Sequence, residues 1–327
     1  MLSLNEIQAA ARRLEGVAIR TPLHTNAELD RRVGATCFLK CENLQHIGAF
    51  KFRGAYNRLV QLNEDERARG VVAFSSGNHA QGIAYAAALL NMQATIVMPS
   101  DAPAVKRKGA EALGATIRDY DRYWESREQI AADIAAETGG VLVPAFDDFA
   151  VMAGQGTCGI EIIGQLQQLG KAPDAVLSPV GGGGLMAGVA TAVKGLRENC
   201  AVIGVEPEGY DDHVLSRAAG KRVQLTPKEA TICDSLMASI PGELTWETNS
   251  RLVDSFLSVS EDEVAQAVSF AFRYLKLVVE PGGAVGLAAL LSKKFVPEPE
   301  ATVAIVLSGG NIDPEVHAAL LSRFPTP

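Results

Sequence analysis

The sequence predicts an α/β protein of two open, twisted-sheet lobes with the active site in the cleft between them. Three observations carry this expectation. Short β-branched runs alternate with helical runs, the pattern of a parallel sheet with helices on its faces. The alternation comes in two series, one over residues 71–143 and one from residue 155 onward. Polar or glycine-rich turns stand where strands give way to helices, and clefts beside such turns are the usual ligand sites of open sheets.

The opening MLSLNEIQAAARRLEG reads as an amphipathic helix; without a basic region before an apolar core it is not a signal peptide. The first series then runs strand Val71–Phe74, helix His79–Leu90, strand Ala94–Met98, helix Ala102–Leu113, strand Thr116–Tyr120, helix Trp124–Thr138 and strand Val141–Val143. The second runs helix Gln155–Leu169, strand Ala175–Val180, helix Leu185–Leu196 and strand Val202–Val205. Asp262–Leu277 is a long helix opened by Ser260, with Glu263 three residues on as a capping box. Pro281, Gly282 and Gly283 read as breakers before a helix Ala284–Leu291, and Val303–Leu307 is the last strand. PEPE at 297–300 reads as a surface turn, and there is no repeat of 20–50 residues.

Composition removes several classes of function. At 327 residues the chain has room for two domains, and 47% hydrophobic with 21% charged residues suits a globular protein with a sizeable core. A net charge of −8 argues against nucleic acid as partner, since neutralising phosphates takes clustered Lys and Arg. No run of 18 apolar residues is present, so no membrane span is expected. The five cysteines are scattered, without a CxxC pair, which suits a reducing, cytoplasmic compartment and offers no zinc spacing.

Four segments can carry chemistry. In GAFKFRGA, Lys51 stands between Phe50 and Phe52. An amine held against aromatic rings loses hydration, its pKa falls, and it becomes suited to imine formation. Val180-Gly-Gly-Gly-Gly-Leu185 lies between a strand and a helix, where backbone N–H groups and the helix dipole attract an anion such as phosphate. The same stretch supports a rival: Gly182-x-Gly184-x-x-Ala187 with Glu206 on the next strand fits a dinucleotide fingerprint and a nicotinamide-dependent (NAD) oxidoreductase. Ser75-Ser76-Gly77-Asn78-His79, at another strand-to-helix junction, can hold a carboxylate. Ser308-Gly309-Gly310-Asn311 follows the last strand and puts a hydroxyl where it can meet a ring nitrogen.

Together, GAFKFRGA, SSGNHAQ, PVGGGGL and LSGGN, in that order, resemble the fold type II (tryptophan synthase β-like) pyridoxal-phosphate enzymes, in the branch of threonine/serine ammonia-lyases and serine racemases. The resemblance runs from Thr21 to Asn311. It implies pyridoxal 5′-phosphate as cofactor, with Lys51 forming the internal aldimine and Phe50 packing on the ring. It further implies Asn78 on the ring oxygen O3′, the amides of Gly181, Gly182, Gly183, Gly184 and Leu185 on the phosphate, and Ser308 facing the pyridine nitrogen. Ser75, Ser76, Asn78 and His79 would line the substrate carboxylate site, with Ser76 the second-face acid/base and Arg127 near the substrate. Glu206, the backbone carbonyl of Tyr210 and Asp212 resemble the family's divalent-cation loop, an oxygen-only set suited to Mg²⁺ or Ca²⁺, with Mn²⁺ also possible. Residues 1–63 with 148–327 would form the large cofactor-binding domain and 64–147 a small mobile one. A homodimer is expected.

The implied activity is dehydration and deamination of a β-hydroxy amino acid, foremost L-threonine or L-serine, to a 2-oxo acid and ammonia. Serine racemase and L-threo-3-hydroxyaspartate dehydratase are the alternatives. Relatives often have Ala-Asp-Gly where this chain has Cys233-Asp234-Ser235, close to the expected substrate pocket. No stretch after LSGGN is long enough for an amino-acid-sensing domain, so feedback by isoleucine is not expected.

Overall fold

The computed structural model describes residues 1–75, 77–102, 104–226 and 229–324. Its strands are β1 (Leu23–His24), β2 (Thr36–Cys41), β3 (Val71–Phe74), β4 (Ala94–Pro99), β5 (Thr116–Tyr120), β6 (Val141–Leu142), β7 (Ala175–Pro179), β8 (Ala201–Pro207), β9 (Ser255–Val259) and β10 (Thr302–Leu307). They make two sheets, a six-stranded one ordered β1-β2-β10-β7-β8-β9 and a four-stranded one ordered β5-β4-β3-β6. The short β1–β2 pair is antiparallel, and the other pairings are parallel. Parallel neighbours need crossovers, and the intervening helices supply them.

Sequence explains strand position. TVAIVL of β10 is buried at all six residues and sits between β2 and β7, with Ile305 opposite both Leu39 and Leu177. A continuous apolar run is what a strand covered on both faces requires. TIRDY of β5 exposes Thr116, Arg118 and Asp119 and lies at the edge of the smaller sheet, where charge discourages further pairing. One core cluster joins β2, β7, β8 and β10 to the helices that follow residue 260, and another packs the opposite face on Cys158, Ile162, Met186 and Val189. A third joins the smaller sheet to Phe52, Ala55 and Leu59.

The helix Phe149–Gln168 is the hinge-pin of the packing, lying against both Lys51–Leu59 and Gly184–Leu196. A Cβ on Gly154 would lie 2.5 Å from the carbonyl oxygen of Arg53, and one on Gly156 would lie 2.9 Å from that of Gly188. Glycine is needed because backbone meets backbone there. Beside this crossing a charged network is sealed in. Arg53, fully buried, grips Glu42 with Nε at 2.7 Å and Nη2 at 2.8 Å, and Glu161 with Nη1 at 2.6 Å. Lys40 reaches Glu161 at 2.5 Å and the carbonyl of Thr21 at 2.7 Å. Two cations thus face two carboxylates, which is how buried charge becomes tolerable.

Several boundaries differ from expectation. The helix expected from Gln155 begins at Phe149, capped by Asp148, whose carboxylate accepts from Val151 N at 2.9 Å. The glycines that serve the crossing obscured its first turns. The helix after Ser260 has its capping box, but its α-helical part ends at Phe270, and a π-helical turn follows over Ala271–Leu275. Pro281, Gly282 and Gly283 do not break a helix. They form its first turn, because proline at the first position has no N–H to lose there. Among the described residues no helix is long and apolar enough to cross a membrane. All five cysteines are buried and free.

Candidate active site

The C-terminal ends of strands from both sheets open on one cavity, lined by Lys51, Asn78, Gly181–Gly184, Glu280 and Ser308 among others. Lys51 begins its helix immediately after Phe50, and Phe50 N donates to the carbonyl of Ser308 at 3.0 Å. The end of β10 therefore fixes where the lysine starts. Lys51 Nζ lies 5.3 Å from the centre of the Phe50 ring and donates to the Ala145 carbonyl at 2.8 Å. Burial lowers its pKa to about 8, partly opposed by the carboxylate of Glu280.

Across the cavity, β7 runs into the glycine turn and the helix Gly184–Leu196. Gly183 has φ of 97°, in the left-handed region that favours glycine. At Gly182 a Cβ would land on the ring of Phe146. The turn's carbonyls are tied outward: Thr245 Oγ1 donates to Gly182 O at 2.7 Å, and Asn249 Nδ2 to Gly183 O at 3.2 Å. In a trans peptide the N–H points opposite the carbonyl, so the amides of Gly183 and Gly184 face the cavity. A helix N-terminus with inward amides is an anion cradle.

The polar junction after β3 forms the third wall. Asn78 Nδ2 donates to Glu280 Oε1 at 2.7 Å, and its Oδ1 accepts from Asn311 Nδ2 at 2.8 Å. Ser75 Oγ accepts from Gly77 N at 3.2 Å. His79 Nε2 meets the Val143 carbonyl at 3.1 Å, while Nδ1 is buried with no hydrogen-bond partner. Burial and the nearby Lys51 push its pKa down to about 3, so it is neutral. Ser76 lies outside the described residues. Arg127 reaches the cavity half-exposed, with its guanidinium 5.4 Å from the centre of the Phe74 ring and paired to Glu128 at 2.8 Å.

Glu280, Lys106 and Phe146 are among the lining residues that carried no role in the sequence reading. Glu280 is buried, its Oε2 lacks a partner, and burial raises its pKa to about 7. A lone acid in the apolar run LVVEPGG was its signal, masked by the breaker pattern of Pro281, Gly282 and Gly283 that follows it. Lys106 forms an ion pair with Asp234, both lining the cavity, and so joins the helix after β4 to the Cys233-Asp234-Ser235 segment. Phe146 was not singled out.

The cation residues lie behind the glycine turn, outside the cavity lining. Glu206 and Asp212 are both fully buried, and burial pushes each up to about 8. Neither Asp212 oxygen has a hydrogen-bond partner. Tyr210 is buried nearby and spends its hydroxyl on the Glu229 carbonyl at 3.0 Å. His213 stands beside Glu206 and Asp212, with one potential ligand atom of each within 4.8 Å of the others. A carboxylate pair in this setting fits a cation. The dinucleotide reading fails at the same place. Glu206 is sealed from the cavity and accepts from the backbone amides of His213 at 3.1 Å and Val214 at 2.9 Å, so no ribose hydroxyl reaches it.

Residues 14–309 match the family model described as pyridoxal-phosphate dependent enzyme. The L-threo-3-hydroxyaspartate ammonia-lyase of a Pseudomonas species is 45% identical over 98% of this chain and 98% of its own length. The L-threonine ammonia-lyase of Thermotoga maritima is 42% identical over 99% of this chain and 79% of its own. The structure of maize serine racemase superimposes with a TM-score of 0.92 at 36% identity, covering 99% of this chain and 98% of that one.

Proposed function

The chain belongs to the pyridoxal-phosphate-dependent enzyme family, and from that premise we propose that it is an ammonia-lyase that eliminates water from β-hydroxy amino acids. One observation carries the reading: a half-buried lysine of lowered pKa and an anion-binding glycine turn line the same cavity. When bound, pyridoxal phosphate supplies an electron sink that acidifies the α-carbon of an attached amino acid.

The residues divide the remaining work. Gly181–Gly184 and Leu185 hold the phosphate with backbone N–H groups. Lys51 Nζ would hold the cofactor and, as a free amine, would be the base that takes the α-proton. Phe50 packs the ring. Asn78 Nδ2 has two hydrogens and gives one to Glu280, which leaves one for the ring's O3′. Ser308 offers the pyridine nitrogen a neutral hydroxyl, which does not favour a protonated ring and so favours rapid elimination. Ser75, Asn78 and neutral His79 form the carboxylate pocket, with Ser76 the second-face acid/base of any racemase side reaction.

The four-stranded sheet with residues 64–147 is the moving lobe in this reading, and its closure excludes water. The Lys106–Asp234 pair crosses the line along which it would close. A divalent cation would be held by Glu206, Asp212 and the Tyr210 carbonyl. Leu44, Phe272 and Val278, apolar and 43% or more exposed, support pairing with a second copy.

Within this activity a specific observation favours L-threo-3-hydroxyaspartate beside threonine and serine: Lys106 and Arg127 both line the cavity, and a second substrate carboxylate wants a cation. A panel of the three substrates, read by 2-oxo acid and by chirality of recovered amino acid, tests the proposal. Production of 2-oxo acid that disappears in Lys51→Ala supports it. Turnover retained in that variant, or racemisation without elimination, refutes it.

A further inference from the structure

Among the described residues, the charged side chains that line the cavity are Lys51, Lys106, Arg127, Asp234 and Glu280. Lys51 serves the cofactor and Glu280 faces Asn78, which leaves two cations for a substrate. Arg127 is half-exposed and paired to Glu128. Lys106 is the sheltered one: its side chain is 10% exposed, against 45% for its partner Asp234. Its Nζ lies 3.9 Å from the place a Cβ on Gly77 would take, so it stands beside the turn of the carboxylate pocket. The Asp234 segment also touches the other turn, with the Ser235 carbonyl 3.6 Å from the place of a Cβ on Gly181. Ser235 lines the cavity, and its hydroxyl has no hydrogen-bond partner among the described residues. A glycine makes room for that hydroxyl: a Cβ on Gly282 would collide with Ser235 Oγ.

We propose that Lys106 and Ser235 form a subsite for the second carboxylate of a dicarboxylic amino acid, and that Asp234 is the carboxylate that holds Lys106 until such a substrate arrives. This rests on the reading that Ser75, Asn78 and His79 receive the substrate's first carboxylate.

Reach supports the assignment. The two carboxyl carbons of a four-carbon diacid are three bonds of about 1.5 Å apart, hence roughly 3–4 Å from one another. With the first carboxylate on the Gly77 turn, the second falls within contact of a cation beside that turn. Burial favours the exchange. A sheltered ammonium is costly without an anion, whereas a half-exposed carboxylate returns to water at little loss. The substrate carboxylate therefore takes the place of Asp234 on Lys106, and Asp234 turns to solvent. The sheltered cation keeps one anion throughout, and no covalent bond forms or breaks. Ser235 adds a neutral donor, since a single ammonium leaves carboxylate lone pairs unfilled. Arg127 adds positive charge from its half-exposed position. A substrate with one carboxylate leaves the Lys106–Asp234 pair as it stands.

L-Aspartate and L-alanine test the subsite without elimination, since neither has a β-hydroxyl to lose and they differ by one carboxylate. Each is titrated into holoenzyme, and binding is read from the change in cofactor absorbance. In Lys106→Met, aspartate affinity should fall at least about tenfold while alanine changes less than about threefold. Lys106→Arg should keep most of the aspartate affinity. Asp234→Asn should move aspartate the other way, at least about threefold tighter, because the competing carboxylate is gone; a gain of affinity cannot arise from misfolding. Ser235→Ala should weaken aspartate at least about threefold. The opposite signs at Lys106 and Asp234 are what a pair that merely joins the lobes cannot give, since loss of either partner would then act in one direction. Changes of the same sign in those two variants, or equal losses for aspartate and alanine in Lys106→Met, overturn the exchange. Aspartate affinity unchanged in Ser235→Ala removes Ser235 from the subsite. Because binding is read without turnover, a substrate panel that yields no 2-oxo acid refutes the lyase reading alone and leaves the subsite to these titrations.

Discussion

Lys51 Nζ and the carbonyl oxygen of Ala145 stand 2.8 Å apart, one hydrogen bond joining the helix Lys51–Leu59 to the segment that leaves β6. The amine is held in place before a cofactor aldehyde arrives. Its pKa, lowered by burial from 10.5 to about 8, decides when it can react. The neutral, nucleophilic form gains as pH rises through about 8 instead of 10.5. Reconstitution of stripped enzyme, followed by an absorbance band near ~415 nm that borohydride removes, should accelerate up to about pH 9 and then level off. A rate still climbing in proportion to hydroxide at about pH 10 would contradict the lowered value.

Gly182→Ala tests the turn. The added methyl would meet the Phe146 ring, so either the ring or the turn must move. Cofactor affinity should fall at least about tenfold, and Phe146→Ala in the same chain should recover most of it by opening the space. Equal affinity of Gly182→Ala and wild type would show that the ring does not buttress the phosphate grip.

Arg53→Met addresses the sealed network two residues beyond Lys51. Removing the guanidinium leaves Glu42, fully buried, without its bidentate partner. The expected loss is about 3–5 kcal/mol in urea denaturation of the apoenzyme. Arg53→Lys keeps the charge but not the fork, and should lie between wild type and Arg53→Met.

Stability in acid should divide between two buried groups of opposite sign. Folded His79 resists protonation down to about 3 against 6.5 when unfolded, so stability rises with pH across that window and is lost on acidification. Folded Glu280 keeps its proton up to about 7 against 4.5 when unfolded, so its contribution is present below 4.5 and lost as pH rises through 7. In urea midpoints across the acid range, His79→Asn should flatten the decline and Glu280→Gln should steepen it. The reverse order would show that burial does not control these groups.

Arg127→Gln separates the substrates. If the guanidinium reads a second carboxylate, KM for L-threo-3-hydroxyaspartate should rise at least about tenfold while KM for L-serine changes less than about threefold. Equal changes would assign Arg127 to lobe geometry instead, since its other contacts are to Glu128 and the Phe74 ring.

The fold was legible where strands are uniformly apolar. Val71–Phe74 falls at its expected ends, and the Ser260–Glu263 capping box marks its helix start. The strand TCFLKC was missed because its lysine belongs to a buried ion network that no local pattern reveals. SFLSV was missed because serines dilute its β-branched character. Of the site, Lys51 and the glycine turn were legible because each is a contiguous segment with its own chemistry. Glu280, Lys106 and Asn249 were not, because their significance comes from neighbours 202, 128 and 66 positions away: Asn78, Asp234 and Gly183.

The glycine crossings on Phe149–Gln168 have a metric consequence. One rigid rod touches both the helix that presents the amine and the helix that begins at the anion cradle, backbone against backbone. The span between the two handholds is thus ruled by helix diameter, beyond the reach of loop changes. An aldehyde whose phosphate arm is one methylene too long should find both ends of its berth and be unable to occupy them together.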